Sequence, residues 1–322
     1  MGVKMRAMMV KKLGDPLVLS EIPCPTLGPG EVLLQIKATG LNFADTLLMT
    51  GKYQEKPALP FTPGLEICGI VTAHGPDVTA PAIGTRVAAY GIGGLADYAV
   101  HKAADCVPVP AQMSAAEAAG FLVAYGTGYL ALKTKARLAA NERLLVLGAA
   151  GGVGLTAVEI GKRLGAEVIA FVRGADKLDL VRAAGADHVF DSDTVEIRET
   201  VKALGGADVV YDPVGGDQFR AAMRATNMNG RLIPIGFASG DIPQIPANIV
   251  MVKNLDVIGF YWGGFAKARP DLVTAAIAAL FQWFEDGTLK PHISKVLPLE
   301  QANEGLELLR TRQAMGKVII TP

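Results

Sequence analysis

The sequence predicts an α/β protein in which a β-rich region precedes a doubly wound parallel sheet. Short apolar runs broken by Gly and Pro occupy the first third of the chain, and after Asn141 apolar runs alternate with amphipathic stretches. The first pattern is typical of an antiparallel or barrel-like domain, and the second of right-handed βαβ units. Because 322 residues exceed what one hydrophobic core usually organises, we expect two domains.

The predicted β-rich region extends from residue 3 to about residue 109. Its clearest strand candidates are residues 32–37, 67–72 and 86–90. The composition then changes, because residues 114–138 are rich in Ala and Leu at helical spacing. Ser114 followed by Glu117 forms a capping box, so we predict that a helix begins there.

Six apolar runs after Asn141 predict the strands of the parallel sheet: residues 144–147, 168–172, 188–190, 208–211, 231–235 and 257–260. Amphipathic stretches at residues 155–164 and 176–184 separate the first three of them, as expected for a sheet covered by helices on both faces. An amphipathic helix at residues 272–284 and a β run at residues 317–320 follow. We expect this tail to return to the first domain.

Composition limits the classes of ligand. The 31 basic and 31 acidic residues cancel, and no dense Lys/Arg run is present to follow a nucleic acid or an anionic bilayer. Residues 1–10 lack the apolar core of a signal peptide, and no segment is long and apolar enough to span a membrane. Cys24, Cys68 and Cys106 are odd in number and widely spaced, which argues against a disulfide framework. We expect a cytoplasmic protein with a small-molecule partner and neither nucleic-acid nor membrane partners.

The strongest local signal is residues 144–154, an apolar strand that leads through glycines into an amphipathic helix. Glycine lets the backbone turn sharply at Gly151 and Gly152 and approach a pyrophosphate, while Gly154 permits close packing of helix on strand. The free N–H groups at the helix start then bind the anion. Ala149 stands where the first glycine of the usual fingerprint stands. The predicted phosphate-binding residues are Ala150, Gly151, Gly152 and Val153.

The end of the second predicted strand distinguishes the two nicotinamide cofactors. An NAD-binding unit carries an acid there for the ribose 2′-hydroxyl, but this strand ends in Val172 and Arg173. Arg173 is suited to pair with a 2′-phosphate, with Lys177 or Ser192 nearby. The sequence therefore favours NADPH over NADH. The alternative is that Arg173 is a solvated charge at a strand end.

Six motifs occur in the order found in one family: residues 40–45, 51–53, 63–66, 148–154, 211–215 and 316–318. The chain resembles the quinone oxidoreductases, the zeta-crystallin-like branch of the zinc-independent medium-chain dehydrogenase/reductase superfamily. This resemblance implies a GroES-like catalytic domain at residues 1–124, a Rossmann NADPH-binding domain at residues 125–263 and a C-terminal return at residues 264–322. It also implies a homodimer.

The same superfamily contains zinc alcohol dehydrogenases. Their catalytic Cys-His-Cys positions align with Asn42, Leu65 and Val123, none of which suits catalytic zinc. The four-cysteine structural lobe is missing as well. The four histidines stand apart in sequence and are interpreted as surface or loop imidazoles: His74, His101, His188 and His292. We therefore predict no metal.

Without a metal, reduction depends on placing an electron-poor acceptor against the nicotinamide. Hydride addition to a quinone or an activated alkene creates an anionic oxygen, which needs a hydrogen-bond donor. Asn42 and Tyr53 lie in the segment where the family has its active site, and both can donate. Asp45 is given a supporting role. Tyr53 is equally well interpreted as a packed aromatic residue.

The resemblance and the strand ends extend the predicted cofactor site. Residues 260–265 are a hypothetical aromatic wall for a flat acceptor, with packing or dimer contacts as the alternative. The additional predicted cofactor-binding residues are Thr127, Ile235, Gly236, Phe237, Phe260, Tyr261 and Lys317. Thr127 is equally well interpreted as an ordinary hydroxyl of a helix turn. Two other functions stay open: an NADPH-dependent reductase of enones, 2-alkenals or enoyl thioesters, and a non-catalytic NADPH-binding protein.

Overall fold

The computed structural model describes residues 4–322, so residue 3, where the predicted β-rich region begins, lies outside the described residues. The strands are β1 Lys4–Met9, β2 Val18–Pro23, β3 Glu31–Gly40, β4 Glu66–His74, β5 Arg86–Tyr90, β6 Tyr98–Lys102, β7 Val107–Pro108, β8 Arg143–Val146, β9 Glu167–Val172, β10 His188–Asp191, β11 Ala207–Asp212, β12 Thr226–Pro234, β13 Asp256–Val257, β14 Ile293–Pro298 and β15 Lys317–Thr321.

The helices are α1 Phe43–Met49, α2 Ala115–Ala119, α3 Leu122–Tyr129, α4 Gly152–Arg163, α5 Leu178–Ala183, α6 Ile197–Ala203, α7 Gly216–Ala225, α8 Ala247–Lys253, α9 Trp262–Ala268, α10 Pro270–Glu285 and α11 Ala302–Arg310. A π-helical turn at Leu130–Lys135 follows α3. The predicted capping box is present at α2, where Ser114 Oγ accepts from the Glu117 backbone N–H. Within residues 4–322, no helix combines the length and the apolar character required to cross a bilayer.

The chain divides into two compact units. One contains the described residues up to Val123 together with Pro291–Pro322, and the other is Ala124–Lys290. Residues 264–290, which the sequence-based division gives to the C-terminal return, therefore belong to the second unit. The reason is packing by α10, because the ring of Trp283 lies 5.3 Å from that of Tyr129 in α3.

The first unit is built mainly on antiparallel pairing, and β14 pairs with β15 in parallel. Strand β3 lies between β4 and β15, the sheet order is β14-β15-β3-β4-β5-β7, and β6 also pairs with β3. One side of β3 alternates into the core through Val32, Leu34 and Ile36, as expected when one face of a strand is buried. A second apolar cluster includes Leu41, Leu48 and Val318. Strand β3 ends, and β4 and β15 begin, close to the start of α1.

The second unit contains a parallel sheet of strand order β10-β9-β8-β11-β12-β13. This order confirms the predicted doubly wound sheet: successive strands are added on one side of β8 up to β10, and on its other side from β11 onward. The last strand is shorter than predicted, since residues 258–260 lie outside β13. A physical reason is Pro234 on the neighbouring strand, which has no N–H to donate to a longer ladder.

Candidate functional site

The glycine-rich segment 148–154 joins β8 to α4 in the second unit. Gly148 has a φ of +56°, a conformation that residues with a Cβ rarely adopt. A Cβ on Gly154 would lie 2.2 Å from the carbonyl oxygen of Gly148, so only glycine permits this contact. The left-handed residue of the turn is thus Gly148, whereas the sequence-based interpretation placed the sharp turn at Gly151 and Gly152.

The predicted phosphate-binding residues lie where α4 begins. Gly151 is its N-cap residue, the helix runs for 12 residues from Gly152, and no described side chain caps it. The first N–H groups of the helix therefore lack an intrahelical acceptor, and the helix dipole adds partial positive charge there. The side chain of Ala150 is buried, so Ala150 can offer a ligand here only its backbone. Val153 lies in the first turn of α4 and is partly exposed. Such a helix start is suited to bind a phosphate.

A second loop lies beside the glycine-rich segment. A Cβ on Gly148 would lie 2.9 Å from Val214 Cγ2, so the residues after β11 pack against the turn. Asp212, at the end of β11, is fully buried and accepts hydrogen bonds from the backbone N–H groups of Val214 and Gly215 at 2.7 Å and 3.0 Å. Burial raises the pKa of Asp212 to about 6, and these two backbone donors oppose the rise.

The loop that carries three predicted cofactor-binding residues, Ile235, Gly236 and Phe237, is fixed to the same residues. Ile235 donates its N–H to the carbonyl oxygen of Asp212 at 2.7 Å, and Ala238 donates to that of Pro213 at 3.1 Å. Gly236 and Phe237 lie between these two anchors, and Phe237 is exposed. Asp212 therefore holds both the loop after β11 and the loop after β12, a role that was not predicted from the sequence.

The carboxyl ends of β9 and β10 bring Arg173 and Ser192 to one edge of the sheet. The Ser192 N–H donates to Val172 O at 2.8 Å, and Ser192 Oγ accepts from Gln218 Nε2 at 3.3 Å. Lys177 lies in a short turn just before α5. Arg173 Nε donates to Asp193 Oδ2 at 3.3 Å, a contact that the sequence analysis did not predict.

The aromatic segment divides between exposed and buried residues. Trp262 is only 8 % exposed, and a Cβ on Gly126 would lie 2.4 Å from its ring, so for Trp262 the packing alternative is correct. The Phe260 ring packs on Phe265 with centroids 5.5 Å apart. Tyr261 is partly exposed at the start of α9. Thr127 is buried in α3.

Asn42 lies in the first unit, immediately before α1. Its backbone N–H donates to Asp45 Oδ2 at 2.9 Å, which closes the first turn of the helix. Its side-chain Nδ2 donates to Gly40 O and to Glu66 Oε2, both at 3.2 Å, and its Oδ1 accepts from Lys317 Nζ at 2.9 Å. The amide is therefore held in one orientation from both ends.

Glu66 and Lys317 form a buried ion pair beside this amide. Lys317 Nζ lies 3.0 Å from Glu66 Oε2, and the two side chains are 7 % and 0 % exposed. The ammonium group also donates to Leu41 O at 3.0 Å, so its three hydrogens all have acceptors in the first unit. Glu66 Oε1 accepts from the Val123 N–H at 2.8 Å. Lys317, assigned above to the cofactor, instead contacts Asn42 and Glu66 in this structure.

Asp45 and Tyr53 complete the predicted catalytic set. Asp45 is fully buried, and its Oδ1 accepts from the Gly64 N–H at 3.0 Å. Burial raises the pKa of Asp45 to about 6, opposed by the N–H groups of Asn42 and Gly64 and by the charge of Lys317. Tyr53 packs, partly buried, against the apolar cluster under α1. The contacts of Asp45 agree with a supporting role.

We expect Asp45 to make folding stability fall as the pH rises. Its folded pKa of about 6 lies above the ordinary value of 3.8, so its contribution is fully present below pH 3.8 and is lost as the pH passes 6. The loss is about 3 kcal/mol. Urea unfolding of the wild type and of Asp45→Asn between pH 4 and 7 isolates the contribution of Asp45. The contributions of the other carboxyl groups are common to both proteins and cancel in the difference of their free energies of unfolding. The stability difference, wild type minus variant, should decrease with pH. An increase would contradict the assignment.

Comparison with known proteins identifies the family. A profile described as an alcohol dehydrogenase GroES-like domain matches residues 28–111, and one described as a zinc-binding dehydrogenase matches residues 152–280. A quinone oxidoreductase-like protein 2 homolog of Nematostella vectensis is 40 % identical over 98 % of this chain and 88 % of the relative. The chain belongs to the quinone oxidoreductase family of medium-chain dehydrogenase/reductases. The predicted combination of a GroES-like domain with a Rossmann sheet is confirmed.

Solved quinone oxidoreductases have the same fold. The enzyme of Thermus thermophilus, also solved with NADPH, is 34 % identical, covers 98 % of this chain and 100 % of its own, and gives a TM-score of 0.85. The enzyme of Escherichia coli, solved in complex with NADPH, is 29 % identical over 99 % of both chains, with a TM-score of 0.89.

The positions that hold catalytic zinc elsewhere in the superfamily are used differently in this quinone oxidoreductase-family chain. Asn42 Oδ1 accepts from Lys317, Leu65 is buried in the apolar cluster, and Val123 donates its backbone N–H to Glu66. Among residues 4–322 no group of three or more His, Cys, Asp or Glu side chains is arranged to hold a metal ion.

The histidines of this family member are not all surface or loop residues, which corrects the sequence-based interpretation. His101 is buried in β6 and His188 lies in β10, 2.9 Å from Glu167 Oε1. His74 ends β4, and its Nε2 lies 2.8 Å from Pro81 O. Burial lowers the pKa of His101 to about 4, so His101 is neutral at physiological pH. Only His292 fits the original description, since it is exposed and outside a strand.

Proposed function

We propose that this protein is an NADPH-dependent quinone oxidoreductase that transfers hydride to a quinone-type acceptor without zinc. The observation that carries the proposal is that the second unit has both an α4 N-terminus without a side-chain cap and Arg173 directly after β9. An NAD-binding unit would carry an acid at the position of Arg173. The NADPH complexes of the Thermus and Escherichia coli relatives support the same cofactor for this chain.

The residues of the second unit fit NADPH. The backbone at Gly151 and Gly152 would hold the pyrophosphate, because a Cβ on Gly151 would have only the Gly148 oxygen, at 3.4 Å, within 4 Å of it. Arg173, Lys177 and Ser192 would bind the 2′-phosphate through charge and hydrogen bonds. When bound, NADPH supplies a hydride for an electron-poor acceptor. The chain's own part is to bind, to orient and to support the charge that develops.

At the acceptor, Asn42 is the candidate donor to the developing oxyanion. Asn42 Nδ2 already donates to Gly40 O and to Glu66 Oε2, both at 3.2 Å, which are the longest hydrogen bonds of this side chain. To donate to the substrate, it has to give up one of these two bonds. Lys317 holds Oδ1 and thereby orients the Nδ2 group away from itself. Glu66 and Lys317 are thus positioning residues, and Asp45 fixes the backbone of Asn42. Tyr53, which packs under α1 in the same unit, is proposed to line the acceptor site. Phe260 and Tyr261 of the second unit are proposed to bind the cofactor.

We expect metal chelators to leave the activity unchanged. The zinc-equivalent positions carry Asn42, Leu65 and Val123, and the ammonium of Lys317 already occupies Asn42 Oδ1. Initial rates after dialysis against EDTA or 1,10-phenanthroline should match those of untreated protein within error. Restoration of lost activity by added Zn²⁺ would overturn the zinc-independent assignment.

The acceptor is tested by initial rates of NADPH oxidation with 1,4-benzoquinone, 9,10-phenanthrenequinone, a 2-alkenal and crotonyl-CoA. Turnover of the quinones supports the proposal. Turnover of the alkenal or the thioester alone would replace it by double-bond reduction, and absence of turnover with demonstrable NADPH binding would replace it by a binding role. We also propose a cytoplasmic homodimer, because the odd number and wide spacing of the cysteines favour a reducing compartment and the family resemblance implies the dimer. Light scattering tests the dimer.

A further inference from the structure

Arg173 is held by one acidic neighbour. Its Nε lies 3.3 Å from Asp193 Oδ2, and within residues 4–322 the structure records no other hydrogen bond or ion pair of this guanidinium group. The two terminal nitrogens, which form the planar fork that pairs with phosphate, are therefore not engaged. Both side chains are more than half exposed, at 61 % and 56 %. The guanidinium is accessible to a ligand while it contacts a carboxylate.

The backbones beneath this pair are fixed. Asp191 Oδ1 accepts from the Gly174 N–H at 3.1 Å and from the Asp193 N–H at 3.0 Å, which ties the residue after Arg173 to Asp193 itself. These two N–H donors lower the pKa of Asp191, so Asp191 is ionised at neutral pH. The contact of Arg173 with Asp193 is thus a consequence of the parallel pairing of β9 with β10, whose last pair is Asp191 with Val172.

We propose that Asp193 is a specificity-determining residue that restrains the preference for NADPH over NADH. This inference rests on the proposed function, in which Arg173 binds the 2′-phosphate. A phosphate bound to the terminal nitrogens of Arg173 would share the guanidinium group with the Asp193 carboxylate, which contacts Nε. Two negative charges separated by only one guanidinium group repel each other. NADH carries a hydroxyl at the same position and does not experience this repulsion.

The negative charge of Asp193 has a larger effect on phosphate binding than the order that its contact gives Arg173. An exposed ion pair contributes little by itself, so Asp193 gives Arg173 little added order. The substitution Asp193→Asn removes the negative charge but keeps a carbonyl oxygen that can accept from Nε. The repulsion of the phosphate is therefore removed while the contact with Arg173 is retained. The fold is not at risk, because Asp193 is exposed.

The test compares dissociation constants of NADPH and NADH, from fluorescence titration, for the wild type, Asp193→Asn, Arg173→Gln and the double variant. The ratio of the NADH constant to the NADPH constant should rise about fivefold in Asp193→Asn at low ionic strength. The rise should shrink at high salt and be absent in the Arg173→Gln background. The matched control is Asp271→Asn, which removes the same charge from an exposed Asp–Arg pair at the start of α10.

Two outcomes separate this inference from the proposed function. If Arg173→Gln lowers the ratio but Asp193→Asn leaves it unchanged or lowers it, the role of Asp193 is overturned and NADPH binding by Arg173 stands. If Arg173→Gln does not alter the ratio, the 2′-phosphate assignment of the proposed function fails, and this inference fails with it. A rise of equal size in Asp271→Asn would show a nonspecific charge effect and would also overturn it.

Discussion

Replacing Lys317 by Met is expected to lower the free energy of unfolding by about 3–5 kcal/mol, the cost of leaving a buried carboxylate without its partner. Glu66 is fully buried, and the lost ammonium group also releases Leu41 O and Asn42 Oδ1. The Asn42 amide then loses the contact that fixes its Oδ1 and is held only through Nδ2, so quinone turnover should fall roughly tenfold. Urea unfolding and initial rates at a temperature where the variant is folded measure the two effects.

The control for this experiment is the double variant Lys317→Met with Glu66→Gln. Removing both charges eliminates the unpaired carboxylate, so most of the stability should return. Turnover should stay low, because Asn42 Oδ1 still lacks its donor. This split between stability and turnover distinguishes a positioning role from a purely structural one. Full recovery of both quantities would show that Lys317 acts only through the fold.

Gly154→Ala is expected to raise the NADPH dissociation constant by roughly tenfold or more and to destabilise the protein by about 1–3 kcal/mol. The new Cβ would lie 2.2 Å from Gly148 O and 2.9 Å from Ala149 Cα, both backbone atoms that cannot move without displacing the turn. Titration of intrinsic fluorescence and thermal unfolding measure the two quantities.

Two other glycines serve as controls for Gly154→Ala. Gly259→Ala should change neither quantity, because a Cβ there has no neighbour within 4 Å among the described residues and no positive φ is required. Gly151→Ala should fold normally, since its nearest neighbour would be 3.4 Å away, but should weaken NADPH binding at the helix start. If Gly154→Ala bound NADPH like the wild type, the glycine turn would not be the phosphate site.

Features that depend on nearby residues were predictable from the sequence. The capping box at Ser114 and Glu117 depends only on a spacing of three residues. The strand Arg86–Tyr90 begins and ends at the same residues as the apolar run that predicted it. The strand–glycine–helix order of residues 144–154 likewise follows from local pattern. The turn itself was assigned to the wrong glycines, because sequence does not reveal which residue takes a positive φ.

Features that depend on distant pairing were not predictable from the same patterns. Lys317 and Glu66 are 251 positions apart and meet because β15 pairs with β3, which in turn pairs with β4. A glutamate inside an apolar run was the available signal for a buried ion pair. Asp193 was missed for a related reason, since its contact with Arg173 needs the register of β9 with β10.

Hydride transfer from NADPH to a quinone by this chain is best examined by steady-state kinetics with both nicotinamide cofactors. The ratio of kcat/KM for NADPH to that for NADH should be determined with 9,10-phenanthrenequinone as the acceptor, with EDTA present. We predict measurable quinone reduction and a ratio above one that falls in Arg173→Gln. A ratio below one, or no quinone reduction while crotonyl-CoA or an alkenal is reduced, would contradict the proposed function.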